Sequence, residues 1–234
     1  MLAFVNHPPL DTPDGGPYYA ETDFSRFIVE PWNAVSSLAF LVPVVYWAWR
    51  LRGLYREYPF LVFAMPLLAL GGLGSTFFHA FRASSWLLLM DVVPILLLTV
   101  AVAIYFWWKV LPHWSYVVVV LGVYFGGWLW LMRYGPFVGQ ARINANYFLR
   151  GVMLFMPGLL LQFRSRYLGL RDILLATGLF VVALLFRRSD VPLSWMPMGT
   201  HWLWHVCCAL GAHFLARYLY QINRMRFGVR SERT

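Results

Sequence analysis

Apolar residues along this chain gather into long blocks separated by short polar punctuation, without the alternation expected of strands. Seven such blocks are each long enough for a helix crossing a hydrocarbon core about 30 Å thick. They run over approximately 32–50, 59–80, 86–108, 114–132, 146–163, 171–187 and 199–220, joined by short loops that hold Pro, Gly and most of the arginines. The pattern predicts an all-α membrane protein with seven transmembrane helices. The 234 residues form one domain, with an N-terminal segment (1–31) and a basic cytoplasmic tail (221–234).

Composition agrees: 60% of residues are hydrophobic and 12% charged, which excludes an ordinary soluble domain. The N-terminus lacks the pattern of a cleavable signal, so the first span is expected to act as the targeting signal. The formal net charge is +9, yet no basic, aromatic-studded module stands outside the spans, so no nucleic-acid partner is expected. The charge instead reports orientation. Alternate loops divide the basic residues twelve to six: Arg50, Arg52, Arg56, Lys109 and those within 164–171 and 217–233, against Arg26, Arg82, Arg133, Arg142, Arg187 and Arg188. The positive-inside rule places the richer set in the cytoplasm, hence an external N-terminus and a cytoplasmic C-terminus. Arg150, inside the fifth span, is read as snorkelling to the outer surface. Cys207 and Cys208 are adjacent in an apolar stretch and are read as small buried hydrophobes.

Against this background the few polar residues within spans stand out. The second span ends "GGLGSTFFHAFR", with Ser75 and His79 four apart; the third opens "SSWLLLMDVVP", with Asp91; the seventh opens "HWLWH", with His201 and His205 four apart. In an alternating bundle the end of span 2 and the starts of spans 3 and 7 share one side, the side of the N-terminus. Residues i and i+4 share a helix face about 5–6 Å apart, so His201 and His205 can hold one Zn²⁺, with His79 as third ligand. Three protein ligands leave a position for water, the catalytic arrangement, with Ser75 and Asp91 placed to hold or deprotonate that water. Ionisable groups inside membrane helices are functional candidates by default. Read singly they are weaker: Asp91 also suits an ion pair with Arg82 or Arg150, and Ser75 a bond to its own helix carbonyl. His213 reads as a packed core histidine, and His7 and His113 as exterior.

The order Ser-x-x-x-His, Asp a dozen residues on, then His-x-x-x-His in the last span resembles the alkaline ceramidase family. That family belongs to the wider CREST group of seven-helix membrane hydrolases, and adiponectin receptors carry a similar set. The resemblance runs from about residue 18 to 220 and includes "VEPWNAVSSLAF", similar to the family's Glu-x-Trp-Asn opening of helix 1. It implies zinc on His79, His201 and His205, with Ser75 and Asp91 handling the water. It also implies a calcium site in the acidic N-terminal segment "YYAETD", from Glu21, Asp23 and Glu30. Here the chain departs from the family, with Tyr18 where an aspartate is usual. The activity implied is zinc-dependent cleavage of the amide of ceramide or a related N-acyl membrane lipid, with Asp91 as general base, near the non-cytoplasmic face. Two other classes fit part of the pattern: a receptor-like lipid-binding protein with structural zinc, and a metal transporter. The transporter needs further ligands towards the cytoplasm, which spans 4 and 6 barely supply.

Overall fold

The computed structural model describes residues 12–191 and 195–231, so His7 and Arg233 lie outside the described residues. Those described form helices and connecting turns with no strand. Pro31, whose missing N–H costs nothing at a helix start, opens α1 (Pro31–Ser37), which runs through a 3₁₀ turn (Leu38–Phe40) into α2 (Leu41–Arg50). Then follow α3 (Pro59–Phe81), α4 (Ser85–Val110), α5 (Trp114–Tyr134), α6 (Gly139–Arg164), α7 (Leu170–Arg188) and α8 (His201–Ser231). Four helical rods are long and apolar enough to cross a membrane: Pro31–Arg50, Pro59–Phe81, Ser85–Val110 and Trp114–Tyr134. The protein is therefore a membrane protein. Helices α6 to α8 carry more charge along their length, including Arg142, Arg150, Asp172, Arg187 and Arg217.

Two elements differ from the sequence expectation. Helix α6 begins at Gly139, ahead of the apolar block, because "GQARINAN" is polar but helix-competent. Helix α8 continues to Ser231 where a separate tail is expected at 221.

Helix α3 lies against α4 and α1, α8 against α7 and α1, and α6 against α4. At one end of this bundle a dense core joins Trp47, Leu51, Tyr58, Phe106, Ile173 and Tyr218. His213 is partly buried there, its ring 5.0 Å from Tyr46 and 6.0 Å from Trp47. Among the described residues helix α5 touches only α4 and α6, and Val117 alone of its side chains is buried, so the rest of its apolar surface suits lipid. His113, exposed, caps its start by accepting the Ser115 N–H at 3.3 Å. Cys207 and Cys208 are free thiols, the first buried against Ala183 and Trp204.

At the other end, small residues of α3 bring it against α4 and against the turn between α1 and α2. A side chain on Gly74 would collide with the α4 backbone at the Met90 carbonyl. One on Gly72 would strike Phe40 of the 3₁₀ turn. Glycine at these positions lets the three segments meet closely at the depth of Ser75 and Asp91.

Candidate metal centre

Three imidazoles meet at that end of the bundle. His79 comes from the last turn of α3, His201 and His205 from the first two turns of α8, and all are at most 3% exposed. Their ring centroids are 4.7 to 5.4 Å apart, and each offers a ligand atom within 4.8 Å of the others. Among the described residues no other group of three His, Cys, Asp or Glu comes together in this way.

The rings are oriented by neighbours that favour ligation. Glu30 Oε2 lies 2.5 Å from His79 Nδ1. A carboxylate only accepts, so Nδ1 carries the proton and Nε2 keeps its lone pair; such carboxylate–histidine pairs recur behind metal ligands. His205 Nδ1 meets Ser36 Oγ at 2.9 Å and Ser37 Oγ at 3.2 Å. The Ser36 hydroxyl donates to the Asn33 carbonyl at 3.0 Å, leaving lone pairs for the ring N–H. His201 Nδ1 is buried without a hydrogen-bond partner, so no neighbour competes with a cation for it. Three neutral nitrogen donors, two of them fixed from behind, suit Zn²⁺.

Ser75 lies one turn before His79 on α3, and its hydroxyl is hydrogen-bonded to that of Ser37 at 3.0 Å. Across the Gly74 contact, α4 brings Asp91 beside Ser75. Ser75, Asp91, His201 and His205 line one end of a cavity of about 210 Å³, whose remaining wall is largely apolar and includes Leu68, Ile95, Val102, Leu154 and Phe155. The structure thus unites the five residues singled out from three separate stretches of sequence.

The N-terminal segment is strapped across this centre. Val29 and Glu30 N–H groups donate to the Ala80 and His79 carbonyls, at 2.9 and 3.1 Å. Arg82, in the left-handed region at φ 48° just past α3, is 1% exposed and pairs with both Asp14 and Glu30. Tyr19 stacks on His201 with ring centroids 3.9 Å apart. Asp190 accepts the N–H groups of Thr200 and His201 at the start of α8, at 2.8 and 3.0 Å, and that of Ala20 in the strap at 3.1 Å. Burial pushes the Asp190 carboxyl above its usual range despite these three donors.

Three expectations change. The carboxylates of Glu21, Asp23 and Glu30 do not form one ligand set. Glu21 accepts the Trp32 and Asn33 N–H groups at 2.7 and 2.9 Å, capping α1 from outside it. Asp23 is taken by Ser25 and Arg26, and Glu30 by Thr22, His79 and Arg82. Tyr18 is exposed, its hydroxyl donating to the Thr22 carbonyl at 3.1 Å. Second, Arg82 pairs with Asp14 and Glu30 and so is not the ion-pair partner of Asp91. Third, Arg150 turns inward, its guanidinium 5.4 Å from the Tyr147 ring and lining the cavity, because an aromatic face holds it there. Sequence reasoning overlooks Asp14, Ser36, Ser37, Tyr19 and Asp190 altogether. Of these only the serines carried a signal, two adjacent hydroxyls inside an apolar span.

Comparison with protein-family models finds no match, and a search of curated proteins likewise finds none.

Proposed function

We propose that this chain is a zinc-dependent amidohydrolase of membrane lipids, cleaving the amide of ceramide or a related N-acyl lipid to a fatty acid and a sphingoid base. The observation that carries the reading is the polar end of the cavity. Three histidine donors converge, two of them lining that end, and Ser75 and Asp91 line it too without joining the histidine set.

His79, His201 and His205 would hold the zinc, which when bound polarises an amide carbonyl and lowers the pKa of water to about 7. Asp91 accepts the proton of the attacking water and delivers it to the departing amine. Ser75, oriented by Ser37, hydrogen-bonds the water or the oxyanion that develops on the carbonyl, in a site poor in competing water. Glu30 and Ser36 keep the His79 and His205 rings in register. The apolar wall receives the acyl chain. In this reading all seven rods span the bilayer, the N-terminus lies outside, and the centre opens near the non-cytoplasmic face.

Incubating the purified protein with a panel of N-acyl lipids, with and without chelator, tests the reading by mass spectrometry. Free fatty acid and amine that form only without chelator support it. Lipid recovered intact from zinc-replete protein would contradict it and favour a receptor-like protein with structural zinc.

A further inference from the structure

The same cavity holds two guanidiniums that the reaction above leaves unused. Arg187, from the last turn of α7, is 4% exposed. Its Cζ lies 4.3 Å from the Tyr147 ring centroid, 5.4 Å from Trp204 and 5.9 Å from Tyr19. Arg150, one turn beyond Tyr147 on α6, also sits over that ring, at 5.4 Å. Both line the cavity together with Asp91, Ser75, His201 and His205.

Aromatic faces favour a cation but leave its N–H fork unfilled. Arg187 Nε is buried with no hydrogen-bond partner, although Tyr19 is hydrogen-bonded elsewhere on the guanidinium, and among the described residues neither arginine has a carboxylate within ion-pair distance. Arg82, just as deeply buried, has two. Asp91 is the one carboxylate among the described residues lining the cavity, set against two arginines, and its charge is committed to the water. A buried cation without a counter-charge is expensive to keep. Trp204, which Arg187 touches, lies on α8 between His201 and His205, so the unpartnered Nε is next to the metal centre.

We infer that Arg187, assisted by Arg150 on the same tyrosine, binds an anionic group on the amine-bearing half of the substrate. This rests on the hydrolase reading and narrows its substrate class. The favoured lipid carries a carboxylate or phosphate close to the scissile amide, where ceramide offers only hydroxyls. Arginine's planar fork matches either anion bidentately.

The test uses the full-length, zinc-loaded protein in nanodiscs and two pairs of lipids sharing a palmitoyl chain: N-palmitoylglycine with its methyl ester, and N-palmitoylsphingosine 1-phosphate with N-palmitoylsphingosine. In at least one pair the charged member should show a kcat/KM about tenfold or more above its uncharged partner, and that pair identifies the anion. Arg187→Gln should reduce the preference about tenfold, and Arg187→Lys should restore part of it. Affinities of the same lipids, measured alongside for the wild type and Arg187→Gln, separate this inference from the reading it rests on. If no lipid is cleaved but charged members bind more tightly through Arg187, hydrolysis fails and the anion site stands. Equal kcat/KM and equal affinity within both pairs in the wild type would overturn the site even if Arg187→Gln does not fold. A preference that survives Arg187→Gln would overturn it too.

Discussion

Glu30 shows how one residue's role depends on partners distant in sequence. Read in its own neighbourhood it belongs with Glu21 and Asp23 in an acidic turn. In the fold it reaches His79, 49 positions away, and Arg82, 52 positions away. Nothing local announces those contacts, so the residue was legible as one carboxylate of an acidic segment before helix 1 and illegible as the buried support of a metal ligand. Removing such a support typically weakens metal binding about 10- to 100-fold. Glu30→Gln should do so in a competition with a zinc chelator, and an unchanged zinc affinity would show that Glu30 serves only Arg82. Asp14 gives a pH test of the strap. Burial alone would raise its carboxyl pKa, but the Arg82 guanidinium and the Gly16 N–H hold it below the usual carboxylate range. A folded pKa depressed in this way stabilises above the unfolded value of about 3.9, and the contribution is lost as pH falls through the folded one. Hydrogen-exchange protection of residues 19–30 should therefore drop below about pH 4 in the wild type. In Asp14→Asn it should start lower and fall less, and superimposable profiles would remove Asp14 from the strap.

At the scale of elements, apolar block length was a sufficient guide to where the helices are. It failed at α6 and α8, whose ends are polar yet helix-competent, since burial pattern and helix propensity are separate properties. Close helix approach was harder to read. "GGLGST" advertises small residues, but only the structure shows that Gly74 meets the α4 backbone beside Asp91 and Gly72 meets Phe40. Gly74→Ala would force α3 and α4 apart, and overpacking of this kind costs about 1–3 kcal/mol. The expected outcome is lower thermal stability and at least a tenfold loss of amide hydrolysis, with zinc retained, because the three histidines lie on α3 and α8 and not on α4. Loss of zinc in parallel with activity would show that the contact supports the whole centre and does not chiefly place Asp91.

For the whole molecule, the alternation of spans is what makes the site readable from sequence. Once seven blocks are counted, the end of the second and the starts of the third and seventh must share a side, and the structure brings Ser75, Asp91, His201 and His205 to one cavity, with His79 against the two other histidines. What alternation cannot reveal is the loop chemistry that closes that end, where Asp14, Tyr19 and Asp190 arrive from segments without periodicity. The arginine distribution predicts a cytoplasmic C-terminus, so a C-terminal reporter should be active in the cytoplasm; activity only outside would reverse the membrane sides while leaving the cavity unchanged. The central claim, that zinc-assisted proton transfer cleaves a lipid amide here, is tested most directly by fatty-acid release from an N-acyl lipid by Asp91→Asn. Asparagine cannot accept the water's proton, and such groups typically contribute about 10²- to 10⁴-fold. The variant should fold and hold zinc as the wild type does, yet lose release by that order. Full release by folded, zinc-loaded Asp91→Asn would contradict the account.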